Sequence, residues 1–202
     1  MSIVIGAVSS DTLYLIGDNR ITYTNKITGE SFYQDNFEKV KRITEDVAIG
    51  FAGQSRLAIE LYNSIIKNVE AHKLQPFSDN VTAFCSEYIK HFFFNGESNI
   101  QIIVGGYDSN HNLCLYKILF SPQIGFIDND SPIIERSDYP KEGGWRYSVI
   151  SALDRSDKTV EIGMNSPGDI LSKINATIKL ASTKNDTIGP TGSGVRIPAR
   201  IT

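Results

Sequence analysis

Apolar positions open the chain in nearly unbroken runs. Ile3 to Val8 (Ile-Val-Ile-Gly-Ala-Val) and Thr12 to Ile16 (Thr-Leu-Tyr-Leu-Ile) are rich in β-forming residues, and Ser9-Ser10-Asp11 between them supplies turn chemistry. The pattern predicts an antiparallel hairpin. Neither run alternates with polar residues, so both strands are expected to be covered on both faces, as in a layered sandwich. Residues 23 to 36 are polar and include Gly29, which predicts a long loop or an exposed hairpin. Glu38 to Thr44 alternates, with Val40 and Ile43 set among charges, and Val47 to Ala52 is apolar again. These read as a second hairpin turning at Glu45-Asp46.

After Gly53 the period becomes helical. Ala58, Leu61, Tyr62, Ile65, Ile66 and Val69 recur at three- and four-residue intervals, one face of a helix. Pro76 and Phe77 interrupt it. Ser78 is the expected N-cap of a second helix with the stripe Val81, Phe84, Cys85, Tyr88, Ile89, Phe92 and Phe93, closed by Asn95-Gly96. Both stripes are expected to be core, packed together and onto a sheet, rather than a cofactor box. Strands resume over Asn99 to Tyr107, turn through residues 108 to 112, and return along Leu113 to Phe120. Residues 121 to 146 read as irregular, with Pro122, Pro132, Pro140 and Gly143-Gly144. Tyr147 to Leu153 is one more candidate strand. Ser166-Pro167-Gly168-Asp169 looks like a helix start with Pro in its first turn, and Ile170, Leu171, Ile174, Ile178 and Ala181 form the apolar side. Val195-Arg196-Ile197, in a Gly-rich tail, reads as a closing edge strand. The order is strands, two helices, strands, helix, strand, with no internal repeat. The expected fold class is α+β: two sheets between outer helices, a four-layer αββα sandwich.

Bulk properties narrow the class further. The 202 residues favour one domain over 1–202, long enough to bury roughly two thirds of the unfolded surface. With 41% apolar and 21% charged residues the chain is an ordinary globule, not a disordered one. A net charge of −3 argues against a general nucleic-acid surface, since only Lys39-Val40-Lys41-Arg42 is locally basic. No apolar run reaches the ~18 residues a membrane helix needs, so no membrane partner is expected. The start of the chain has neither a charged leader nor a small-residue cleavage site, so a signal peptide is not expected and the location is expected to be cytoplasmic. Cys85 and Cys114 stand alone in apolar surroundings and are expected to be buried free thiols.

Most chemistry-bearing motifs are missing. His72, His91 and His111 have no metal-ligand spacing and read as surface or loop residues. Gly192-Ser193-Gly194 lacks the Lys-Ser/Thr and the strand–helix context of a phosphate loop and is expected to serve as a turn. No Gly-x-Ser-x-Gly elbow occurs. Neither cofactor nor metal is expected. What remains lies near the N-terminus. A small second residue allows removal of the initiator methionine, which would leave Ser2 with a free amine. That amine, of reference pKa ~7.7–8.0, can take the proton of the residue's own hydroxyl. A nearby lysine would lower its pKa, an aspartate would hold the lysine, and a glycine N–H between strand and helix would serve as oxyanion donor. Ser2, Lys39, Asp18 and Gly53 fit those four roles. Each alone has an ordinary reading: a second residue, a solvated strand lysine, a turn pair of Asp18 with Arg20, a glycine leading into a helix. Taken together and in this order, the functional reading comes first.

These residues resemble the proteasome β-subunit and HslV family of N-terminal-nucleophile (Ntn) hydrolases. With Met1 removed, Ser2-Ile3-Val4-Ile5-Gly6 is similar to that family's Thr-initiated first strand. Gly17-Asp18-Asn19-Arg20-Ile21-Thr22 resembles its Asp-x-Arg-x-Thr loop, and Glu38-Lys39-Val40-Lys41-Arg42-Ile43 its lysine strand. Gly50-Phe51-Ala52-Gly53 follows at the family's interval, and Ile102 to Asp108 with Leu115-Tyr116 resembles a later hairpin. The resemblance extends over residues 2 to 120. It implies the αββα sandwich, peptidase or amidase activity, and catalytic roles for Ser2, Asp18, Lys39 and the Gly53 N–H, with Asp186 as the late acidic residue. It also implies a homo-oligomeric hexameric or heptameric ring, an ATPase unfoldase partner and a peptide or unfolded-protein substrate. This chain departs from the pattern in having Ser for Thr, Gln54 for a second Gly, and only Ser151 where a Gly-Ser-Gly is usual. Two other functions stay open: a catalytically silent ring subunit, as retention of Met1 would make it, and a small-molecule Ntn amidase outside any ring.

Overall fold

In the computed structural model, which describes residues 2–25, 27–92, 100–120, 132–151 and 158–200, the first hairpin is β1 (Ile3–Val8) and β2 (Thr12–Asp18). Both are interior strands of a sheet ordered β10-β1-β2-β11, where β10 is Arg146–Ser151 and β11 is Gly192–Pro198. The two-residue side-chain period of β1 sorts its residues between layers. Ile3, Ile5 and Ala7 pack against helix α4 (Ile170–Lys184), through Ile174 and Ile178. Val4 and Val8 turn inward to Leu115 and Ile103 of a second sheet. That double covering is why the run is apolar throughout.

The second sheet is ordered β5-β6-β7-β8-β9, with β5 (Val40–Arg42), β6 (Val47–Gly53), β7 (Ile100–Tyr107), β8 (Leu113–Phe120) and β9 (Ile133–Asp138), all antiparallel neighbours. Along β6, Ala48 and Ala52 face the first sheet, while Val47, Ile49 and Phe51 face α1 (Ser55–Glu70) and α2 (Ser78–Phe92). The helical stripes fill that outer layer: Ala58, Leu61 and Ile65 from α1, and Val81, Cys85 and Ile89 from α2. A short helix, α3 (Thr159–Met164), packs with α4 on the opposite side. Layer by layer this is the αββα sandwich, with three apolar clusters between its four layers. Residues 23 to 36 take the exposed-hairpin alternative, as β3 (Ile21–Thr24) paired with β4 (Ser31–Gln34). Cys85 and Cys114 are buried and unbonded to each other. Among the described residues no helix is long and apolar enough to cross a membrane.

Several local expectations are corrected. Residues 133–138, read as irregular, form the edge strand β9. Its side chains are mostly exposed, so it lacks an alternating apolar signal and is held by the β8 ladder and the Lys117–Glu135 and Arg136–Asp108 ion pairs. Ser78 lies within α2 and sets its hydroxyl 3.4 Å from Cys114 Sγ. The cap of α4 is Asp169, whose carboxylate accepts from the Ser172 N–H at 2.8 Å, so Pro167 precedes the helix. Leu171 is exposed, because the buried line of α4 runs through Ile170, Ile174, Ile178 and Ala181. Gly192-Ser193-Gly194 is extended in β11, paired with Ile16 to Asp18, instead of turning. The expected helix close at Asn95-Gly96 and the ends of the predicted strands at Asn99, Ala152 and Leu153 lie outside the described residues, as does Met1.

Candidate active site

The last residue of β2 is Asp18, and its carboxylate is fully buried. Lys39, one residue ahead of β5, is 4% exposed and donates to both carboxylate oxygens, at 2.8 Å to Oδ1 and 2.7 Å to Oδ2. Three backbone N–H groups complete the shell: Ile3 donates to Oδ1 at 2.8 Å, Arg20 to Oδ2 at 3.2 Å and Gly189 to Oδ2 at 3.0 Å. Such charge-assisted bonds are the stronger class, and together they satisfy an ion that burial would otherwise penalise heavily. Burial pushes the Lys39 ammonium below the ordinary lysine value, and Asp18 pulls in the opposite direction. The Ile3 bond fixes the backbone beside Ser2, which is itself buried at the start of β1.

Gly53 ends β6 with φ of 109°, a conformation that favours glycine, and Gln54 then caps α1 without a side-chain bond. The unpaired N–H groups of a helix start therefore open beside it. Ser2, Lys39 and Gly53 line a single cavity of about 190 Å³, together with Arg20, Thr22 and Ser55. Four of the sequence-predicted residues thus come together: three on the cavity, and Asp18 directly behind Lys39.

Asp186 is not on that cavity. It is exposed after α4, where its carboxylate accepts from the Tyr33 hydroxyl at 2.9 Å and its backbone carbonyl from Arg20 Nη1 at 2.7 Å. Arg20 is the link. Its guanidinium pairs with Asp35 through Nε at 2.7 Å and Nη2 at 3.0 Å, not with Asp18, and lies 5.2 Å from the centre of the Tyr33 ring. That bond holds the Asp35 carboxyl below the usual carboxylate range. Gly189 is a participant the sequence did not announce, being 171 positions from Asp18. A Cβ there would lie 2.7 Å from Asn19 Oδ1 and 3.0 Å from the Arg20 N, so only a glycine lets this loop come close enough to donate. Ser151 is in register with Ile3 across the β1–β10 ladder, next to Ser2.

A sequence model of the family described as "Proteasome subunit" matches residues 2–122, the half of the chain that holds Ser2, Asp18, Lys39 and Gly53. Among solved structures, the crystal structure of eukaryotic HslV from Trypanosoma brucei is similar with a TM-score of 0.58, at 15% sequence identity, over 97% of this chain and 99% of that one. At that identity the likeness concerns the fold alone. No curated protein matches the chain.

Proposed function

Because the chain belongs to the proteasome subunit family, we propose that it is a peptide-bond hydrolase whose nucleophile is the Ser2 hydroxyl, exposed with its own α-amine once Met1 is removed. The observation that carries this reading is the meeting of Ser2, Lys39 and Gly53 on one cavity, with the Asp18 carboxylate bonded both to Lys39 and to the Ile3 N–H beside the nucleophile. In this role the amine takes the proton from Ser2 Oγ as that oxygen bonds to the substrate carbonyl carbon. Negative charge moves onto the carbonyl oxygen, for which the Gly53 N–H is the donor. Collapse expels the leaving amine, which receives the proton, and water then releases the acyl group from Ser2 by the same steps. Lys39 keeps the amine unprotonated through its positive charge, and Asp18 holds Lys39 in place. Asp186 acts at one remove, by anchoring Tyr33 and Arg20. The direct test is turnover of a fluorogenic peptide by the Ser-initiated chain, and its loss on substitution of Ser2.

Family membership supports ring assembly, with an ATPase that unfolds protein substrates, and the buried free thiols fit a cytoplasmic location. Light scattering of the purified protein is expected to give the mass of a hexamer or heptamer. A monomer or dimer that still hydrolyses amides would overturn the ring and favour a small-molecule amidase.

A further inference from the structure

The β3–β4 hairpin is a ribbon whose strands pair with each other and, among the described residues, with neither large sheet. Two strands alone are barely stable in water, so side-chain bonds must fix this ribbon to the body. One face carries Tyr23 opposite Phe32, both more than half exposed. The other carries Tyr33, and Asp35 follows two residues later on the same side. Tyr33 reaches the Asp186 carboxylate, and Asp35 grips the Arg20 guanidinium with both oxygens. The remaining Arg20 nitrogen, Nη1, donates to the Asp186 carbonyl. Asp186 lies three residues before Gly189, whose N–H donates to Asp18 Oδ2. The backbone N–H of Arg20 donates to that same oxygen, which Lys39 also reaches at 2.7 Å. The orientation of one guanidinium therefore sets the spacing of two donors around the carboxylate behind the site.

We infer that Tyr33 and Asp35 are positioning residues: from an exposed hairpin they fix Arg20, and through it the two backbone donors that hold Asp18 against Lys39. The inference rests on the peptidase reading above and adds what controls the geometry of that site. Neither residue lines the cavity, so neither touches the reacting atoms. Their contribution is to geometry more than to folding. The Arg20 and Asp35 side chains are 20% and 45% exposed, and a pair so open to water adds little stability. A planar guanidinium held by two carboxylate oxygens, a carbonyl and the Tyr33 ring nevertheless keeps a single orientation. Without Asp35 it turns, the loop that carries Gly189 is released, and Lys39 loses its fixed place on the cavity. Displacements of this kind, far from the chemistry, cost turnover out of proportion to their size.

The test uses the Ser-initiated protein and the fluorogenic peptide of the parent assay, with the variants Asp35→Asn, Tyr33→Phe and Asp35→Glu. Asp35→Asn is expected to lower kcat at least about fivefold and to leave KM within about twofold, since no substrate contact is removed. Tyr33→Phe is expected to cost about threefold. The double variant should lose little more than Asp35→Asn alone, because both residues act on one guanidinium. Asp35→Glu keeps both oxygens and is expected to retain most of kcat. Amide hydrogen exchange supplies a readout that needs no turnover. In Asp35→Asn the Gly189 N–H is expected to exchange about tenfold faster, while amides of β6 and β7 keep the parent's rates. That local change in a protein without turnover would uphold the positioning and overturn the peptidase reading. In an active parent, unchanged kcat in both Asp35→Asn and Tyr33→Phe, an unchanged Gly189 rate, or exchange that quickens in all strands alike would each overturn the positioning and leave the peptidase reading standing.

Discussion

Ser2→Ala is expected to abolish peptide turnover, lowering kcat by about 10⁴- to 10⁶-fold, the usual consequence of deleting a nucleophile. The hydroxyl is small, so the same change is expected to move stability by no more than about 1 kcal/mol, and unfolding curves of variant and parent should nearly coincide. Activity of the parent has a sign that can be worked out. The attacking oxygen needs an unprotonated amine, so kcat/KM falls as pH drops through the amine's pKa. The Lys39 ammonium disfavours a second positive charge nearby, which lowers that pKa. The inflection is therefore expected below the ~7.7–8.0 of an ordinary α-amine. An Ser2→Ala variant that kept its turnover, or an inflection well above that range, would remove Ser2 from the role given to it.

The second large effect concerns the ion pair behind the site. Asp18→Asn keeps the shape of the side chain and removes the charge facing an ammonium that is 4% exposed. Breaking a buried pair from one side costs about 3–5 kcal/mol. Lys39→Met leaves the other ion, but that carboxylate retains the N–H groups of Ile3, Arg20 and Gly189. Its loss is expected to be roughly half as large, because hydrogen bonds from three donors still compensate the buried charge. Urea unfolding of both variants, compared at constant slope, measures the difference. The pH dependence follows from Lys39. Its folded pKa already lies below the ordinary lysine value, and losing Asp18 lowers it further, since Asp18 is what raises it. Between that value and about 10.4 the unfolded chain binds the extra proton, so stability rises with pH. The Asp18→Asn deficit should therefore shrink as pH rises from the variant's Lys39 pKa to the parent's, and stay constant above it, where both proteins gain stability alike. Equal losses for the two variants, or a deficit that grows with pH, would mean that Asp18 and Lys39 do not form the coupled pair described.

Much of this was legible in the residues. The unbroken runs of β1 and β2 announced strands covered on both sides, because each alternate residue has its own apolar partner layer: Val4 one sheet, Ile3 and Ile5 the helix α4. The stripes of α1 and α2 followed the helical period and became core for the same reason. Ser2, Asp18, Lys39 and Gly53 could be proposed from residue type and strand position, and they meet because β1 and β2 pair in one sheet while β5 and β6 pair in the sheet packed against it. Less could be read where backbone, not side chain, makes the contact. Gly189 reaches Asp18, 171 positions away, because β11 runs along β2, a long-range pairing that no local pattern encodes. Arg20 divides its bonds for a related reason: its backbone N–H donates to Asp18, near in sequence, while the β3–β4 hairpin folds Asp35 back onto the guanidinium. β9 was missed because an exposed edge strand carries no period in its side chains. Asp186 was named through the resemblance, and its carboxylate lies on Tyr33 at the rim of the hairpin.

The mass of the intact chain, isolated from the cell that makes it, bears most directly on whether a hydroxyl and an amine on one residue perform the chemistry. The account predicts a protein shorter by its initiator methionine, beginning at Ser2 and active on peptides. A chain that retains Met1 places the free amine on the wrong residue, and would make this a catalytically silent member of its family.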